Sequence, residues 1–295
     1  MSDQDQSEPL VAGPYGVWLT IRTLQQDPAE LRRLAAEVEG LGYSALWLGG
    51  SLGSDLSSPA ELLAGSSRLV VGTSVVNIWR DRAEDVAASV SHLADQYGDR
   101  FILGVGPGHA TQVELHRARY ARPLAALGEF LDVLDAAKPP VPVHRRLLAA
   151  LGPKALALAA QRAAGALPYL STPEHTRAAR EIVGAGAFLA PEQKLVLVAE
   201  PDRARELARG ALKYYVELPN YVNSWRRLGF AEPDFEADGS DRLIDALFGW
   251  GTPKAAVERA REHLAAGADH VCIQPVPAED SDLLSDLRTI AAELF

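Results

Sequence analysis

Cysteine is almost absent from this chain of 295 residues. Cys272 is the only one, which excludes an intrachain disulfide and a cysteine zinc cluster. That suits a reducing compartment, and a cytoplasmic protein is expected. Long apolar runs are missing too. None approaches the ~20 residues that span a bilayer, so no membrane partner is expected. The start, MSDQDQSEPLVAG, lacks the apolar segment of a secretory signal, and residues 1–13 are expected to be a loose tail. A surplus of basic charge is also lacking. Against 39 Asp and Glu there are 29 Lys and Arg, a net charge of −10, which argues against a nucleic-acid partner. The sequence has no Walker loop, no G-x-S-x-G elbow and no HExxH. His109 and His116 lie seven apart with no carboxylate or cysteine to complete a ligand set, so no metal is expected.

What is present is a large apolar fraction, 47%, enough for a sizeable core. It is organised as a repeat. YGVWLTI (Tyr15–Ile21) reads as a strand. The next stretch opens with Asp27 as helix cap, Pro28 in the first turn and Glu30 at the third position. SALWLGG, RLVVGTSVV and RFILGVG follow as strands, with helices between them near Ser58–Ser66 and Asp81–Tyr97. Further strands are predicted at Leu147–Gly152, Gly165–Leu170, Lys194–Glu200 and Asp269–Gln274. An insertion after the seventh carries LPNYVNSWRRLGF and a helix near Asp241–Trp250. Helices are also predicted from Thr252–Pro253 to about Gly267 and over Asp280–Phe295. Eight strands alternating with helices predict a single parallel α/β domain over residues 14–295. A closed (β/α)8 barrel is favoured, and an open doubly wound sheet fits the same periodicity.

Three stretches carry possible chemistry. GVGPGH overlaps the dinucleotide fingerprint, but His109 stands where the last glycine belongs, which argues against that reading. At the mouth of a barrel strand, Gly106 and Gly108 would admit a flat ligand, Pro107 would stiffen the loop and His109 could handle a proton. The competing reading is a tight corner. Gly72, Thr73 and Ser74 interrupt the third strand, as either a bulge or a cofactor-supporting distortion. Asn77, Trp79 and Trp18 are candidate pocket residues. Gly152 and Pro153, with Lys154 behind them, start one helix. Thr172 caps another, followed by Pro173, Glu174, His175 and Thr176. Either helix start could hold phosphate or simply be capped.

The ordered set GYSALWLG, VVGTSVVNIW, RFILGVGPGHA, LGPKALALAAQRAAGALPYLSTPEHT, LPNYVNSWRRLGF, GSDRLIDAL and AGADHVCIQ resembles the luciferase-like flavin and deazaflavin oxidoreductases. Among these it is most similar to the actinobacterial branch that uses coenzyme F-420. The resemblance implies a luciferase-like (β/α)8 barrel with an insertion after strand seven. It also implies a cis peptide at Ser74–Val75 under the cofactor ring, and a glycine loop at Gly106–His109. The phosphate tail would lie near Gly152, Pro153, Gly165, Ala166 and the Glu174–Thr176 helix start. The implied activity is hydride transfer between deazaflavin C5 and a small organic substrate, with His109 as the first candidate for the proton and a homodimer as the assembly. An FMN-dependent monooxygenase and a cofactor-binding barrel without turnover are the alternatives. One departure stands out. Many relatives end strand two with an acid or Asp-His, where this chain has Gly49, Gly50 and Ser51. That puts in doubt a catalytic acid or the cofactor's binding mode, or opens space for substrate.

Overall fold

The structure is a computed structural model that describes residues 10–21, 24, 27–50, 53–110, 120–279 and 281–295. Ser51, His116 and Asp280, named above, therefore lie outside the described residues, as do residues 1–9 of the expected tail. Residues 10–13 are packed against the barrel base. Val11 is buried, and the Gly13 carbonyl accepts hydrogen bonds from His270 and Ser44.

The first half follows the sequence reading closely. Strand β1 (Tyr15–Thr20) leads to helix α1 (Pro28–Gly40), capped by Asp27, whose Oδ1 accepts from the Ala29 and Glu30 amides. Then come β2 (Ala45–Gly49), α2 (Ser57–Ala64), β3 (Val70–Thr73), β4 (Val76–Asn77), α3 (Ala83–Tyr97) and β5 (Phe101–Gly106). These strands are buried on both faces, as a helix-covered parallel sheet requires.

Helix α4 (Pro123–Ala136) precedes β6 (Arg146–Leu148), α5 (Pro153–Arg162), β7 (Gly165–Ala166), α6 (Pro173–Val183), β8 (Phe188–Leu189) and β9 (Glu192–Val196). After α7 (Pro201–Leu212) the insertion forms α8 (Pro219–Arg227), α9 (Glu232–Phe235) and α10 (Asp241–Leu247). The predicted helix to Trp250 stops early, because Phe248–Trp250 forms a strand, β10, beside β9. Helix α11 (Pro253–Ala265), β11 (Val271–Pro275) and α12 (Leu283–Leu294) complete the chain.

Every pairing among the described strands is parallel. The ladder runs β10-β9-β11-β1-β2-β3-β5-β6-β7-β8, with β4 beside β5. Its arms meet in the chain itself, since only Ala190 and Pro191 separate β8 from β9. The Ala190 amide donates to Ala166 O at 3.0 Å on one side. The Cys272 amide donates to Pro191 O at 2.9 Å on the other. With β3–β4 and β8–β9 each counted as one interrupted stave, and β10 set aside as a side strand on β9, eight staves close a ring. The open-sheet alternative falls. The interior is filled by Trp47, Ile102, Leu147, Ala190 and Cys272, so the barrel is a packed core whose loops build the site. No described helix is long and apolar enough to cross a membrane.

Candidate active site

A cavity of about 920 Å³ opens at the C-terminal mouth of the staves. One wall is made by strand ends and tight loops: Ser74, Val75, Asn77, Pro107, Gly108, Ala149 and Gly152. The facing wall comes from the insertion and carries Tyr214, Tyr215, Asn220, Tyr221, Asn223 and Arg227.

The interruption in the third stave has two local causes. A side chain on Gly72 would begin 2.4 Å from the Trp47 ring, so the glycine makes room for the largest interior residue. Thr73 Oγ1 donates to Gly104 O and accepts from the Gly104 amide, both at 2.8 Å, which ties the stave to β5. The next bond, Ser74–Val75, is cis, as the resemblance implies.

The glycine loop is held against this segment. A Cβ on Gly106 would meet Val75 Cγ2 and Ala149 Cβ at 2.8 Å. Gly108 has φ +59°, and a Cβ there would lie 2.3 Å from Asn77 Nδ2. Glycine at both positions lets the loop lie flat on the Val75–Asn77 segment. This sharpens the choice between loop and corner: the turn forms part of the cavity wall.

His109 ends the loop within a cage of phenols. Its ring centre is 5.6 Å from that of Tyr221, 5.9 Å from Tyr214 and 6.1 Å from Tyr215. Its Nδ1 is buried with no partner among the described residues. Burial alone drives its pKa down to about 4, so the ring is neutral at pH 7.

Gly152, Pro153 and Lys154 also line the cavity, at the start of α5. Arg227 Nη2 stands 3.7 Å from where a Gly152 side chain would begin. Arg227 has no carboxylate partner among the described residues, and desolvation lowers its pKa. No carboxylate occurs among the described lining residues. A helix start, an ammonium and an unmatched guanidinium together suit an anionic group.

The other predicted tail residues lie off the lining. Gly165 and Ala166 are buried in β7, where a Cβ on Gly165 would strike Phe188 O at 1.7 Å. Glu174 is exposed. His175 acts on the wall indirectly: its Nε2 donates to Leu151 O at 2.9 Å, and Leu151 lines the cavity. Thr176 is buried and hydrogen-bonded to His263 Nδ1 at 2.7 Å. Trp18 and Asn77 line the cavity, but Trp79 does not.

The Gly49 departure has a steric explanation. A side chain there would begin 2.0 Å from Trp18 Cζ2. The Trp18 indole therefore fills the space beside Gly49, while Gly50 lines the cavity. Beside Trp18 (5.1 Å between ring centres) is Tyr169, another lining residue. Beneath the two lies a buried ion pair, Lys194 Nζ to Glu192 Oε1 at 3.0 Å. Burial lowers the lysine pKa and raises that of the carboxyl, and each opposes the shift of the other. Sequence reading missed Tyr169, Lys194, Glu192 and the insertion tyrosines. The signals were there: two charges at alternate positions of an apolar stave, and three tyrosines between 214 and 221.

A closed parallel barrel with a glycine-walled cavity at its mouth is the architecture on which the comparisons with known proteins bear. The chain matches the luciferase-like monooxygenase family over residues 10–270 and belongs to it. It is 22% identical to 5,10-methylenetetrahydromethanopterin reductase of Archaeoglobus fulgidus, over 82% of this chain and 88% of that protein. Solved structures that share its fold include the following two. The coenzyme F-420-dependent tetrahydromethanopterin reductase of Methanopyrus kandleri aligns with TM-score 0.73 and 18% identity, over 95% of this chain and 97% of that one. The oxygenating constituent of 3,6-diketocamphane monooxygenase of Pseudomonas putida, solved with FMN, aligns with TM-score 0.61 and 13% identity, over 94% and 97%.

Proposed function

We propose that this protein is a coenzyme F-420-dependent oxidoreductase that transfers hydride between cofactor C5 and a small organic substrate. The polarity of the cavity carries this reading. Part of the lining is flat and glycine-walled, part is basic through Lys154 and Arg227, and the described lining has no carboxylate. A planar tricycle with an anionic tail has that shape and charge.

Ser74, Val75, Asn77, Pro107 and Gly108 would hold the ring. Gly152, Pro153, Lys154 and Arg227 would hold the tail, with His175 fixing the Leu151 carbonyl beside it. When bound, the deazaflavin supplies or accepts hydride at C5; the protein positions the partner carbon and handles the proton. His109, neutral at pH 7, serves as a hydrogen-bonding group or proton acceptor. The FMN-bound relative supports a second reading, an FMN-dependent monooxygenase.

Parallel equilibrium titrations with coenzyme F-420 and FMN separate the two. Saturable F-420 binding, at least about tenfold tighter than FMN (about 1.4 kcal/mol), is expected. Binding of FMN alone would transfer the proposal to the monooxygenase. In His109→Ala, F-420 binding is expected to persist while turnover drops.

A further inference from the structure

In the reducing direction, substrate carbon receives hydride and its oxygen or a neighbouring atom needs a proton. His109 is neutral at pH 7 and has none to spare as an imidazolium. The barrel floor holds another source. Lys194 is 2% exposed, and its Nζ donates to Tyr169 Oη at 2.7 Å, Gln274 Oε1 at 2.9 Å and Glu192 Oε1 at 3.0 Å. Three acceptors around one nitrogen match the three hydrogens of an ammonium. Tyr169 Oη donates to Gln274 Oε1 at 3.0 Å and accepts from Tyr215 Oη at 3.3 Å. Tyr169, Tyr215 and Gln274 line the cavity, whereas Lys194 lies behind them.

From this geometry we infer that Lys194, Tyr169 and Tyr215 form a proton relay from the barrel interior to the cavity, with Tyr215 as its terminal donor. The inference rests on the hydride-transfer reading above. Rotating the Tyr169 hydroxyl hydrogen from Gln274 to Tyr215 turns the chain outward, and a hydroxyl makes that turn freely. A carbonyl substrate is then reduced as follows. Hydride forms the new C–H bond, the C=O π bond breaks, and the electron pair is left on oxygen. The Tyr215 proton moves to that oxygen, the Tyr169 proton to Tyr215, and one ammonium proton of Lys194 to Tyr169. The resulting amine regains its proton from water after product release. Oxidation runs the same path in reverse.

The neighbours of the relay fit this assignment. Burial and the nearby Glu192 carboxylate and tyrosines hold the Tyr169 phenol well above its usual pKa, so it rests protonated. Glu192 is fixed by the Leu170 amide at 3.1 Å and stays as the counter-ion. The ammonium lies 4.0 Å from the Tyr169 ring centre and 5.9 Å from those of Trp18 and Tyr215. Tyr221 and Cys272, the other titratable groups beside Glu192, are both held in their neutral forms by burial. Lys194 and Tyr169 are positioning residues, and Tyr215 is the catalytic one.

Two measurements on the full chain without cofactor test the relay. The first is a pH titration of tyrosine labelled with 13C at Cζ. In Lys194→Met the Tyr169 phenol should ionise at higher pH than in wild type, because the ammonium that steadies the phenolate is gone. Identical curves would overturn the relay. Should Lys194→Met fail to fold, Tyr169→Phe supplies the same test through the Tyr215 resonance, which must shift. The second is a titration with 4-nitrophenol, whose phenolate mimics the substrate oxygen. Tyr215→Phe should weaken binding about tenfold, the loss of one charge-assisted hydrogen bond. Equal affinity, or no binding by wild type, would overturn Tyr215 as terminal donor. Coenzyme F-420 binding is measured alongside on the wild type. Its absence in wild type would sink the parent reading instead and leave the coupling measurement intact.

Discussion

His109 and the pair His263–His270 show two uses of a buried imidazole. His263 and His270 are fully buried in the barrel body, and both nitrogens of each are hydrogen-bonded. Gln193 Nε2 donates to Lys194 O and Leu247 O, so its Oε1 must accept from His263 Nε2 at 3.0 Å. That leaves His263 Nδ1 bare, to accept from the Thr176 hydroxyl at 2.7 Å. His270 Nδ1 donates to Gly13 O at 2.7 Å, and its Nε2 accepts from Trp47 Nε1 at 3.0 Å. His109 is driven neutral by the same desolvation, yet its Nδ1 has no described partner. Burial thus sets the protonation state in both places, while His263 and His270 are fully hydrogen-bonded and His109 is not.

Removing a fully hydrogen-bonded histidine should have the largest effect. His263→Ala leaves the Thr176 hydroxyl and the Gln193 carbonyl unpaired beside a new cavity. A loss of about 3–5 kcal/mol in urea unfolding is expected. A loss under 1 kcal/mol would mean that the network is incidental.

Acid tests the shared half of the comparison next, since His109 also falls to about 4. The folded-state pKa values of His263 and His270, about 3 and about 4, lie below the ordinary 6.5. The unfolded chain therefore takes up protons first. Their contribution is complete above pH 6.5 and is lost as pH falls from there towards 4. The expected slope is about 1.4 kcal/mol per pH unit for each histidine. Unfolding curves at pH 7, 6 and 5 should show it, with one proton less in His263→Gln. His109→Leu should give the smallest change, within about 1 kcal/mol of wild type at pH 7, because no described bond to Nδ1 is lost. A larger drop would return His109 to the structural class.

The first half of the barrel was legible because each helix there announces itself. Asp27 with Pro28 gives a cap, and the 3.6-residue period of α1 and α3 separates cleanly from the short apolar strands. The later staves were not, because β6, β7 and β8 have three, two and two residues. Their predicted extensions, 149–152 and 167–170, run on as non-helical loop, and parts of both line the cavity. Apolar composition cannot tell a strand end from a pocket wall. The glycine loop and the α5 start were found from conformational demands that sequence encodes. Tyr215, Tyr169 and Lys194 escaped because they meet only in three dimensions: the Lys194–Tyr169 contact spans 25 residues and the Tyr215–Tyr169 contact 46.

Trp18 and Gly49 form a single steric unit. Neither can change alone without loss, since an acid at 49 collides with the indole and a smaller residue at 18 opens a hole. Engineering that acid back into this barrel calls for the double substitution from the outset.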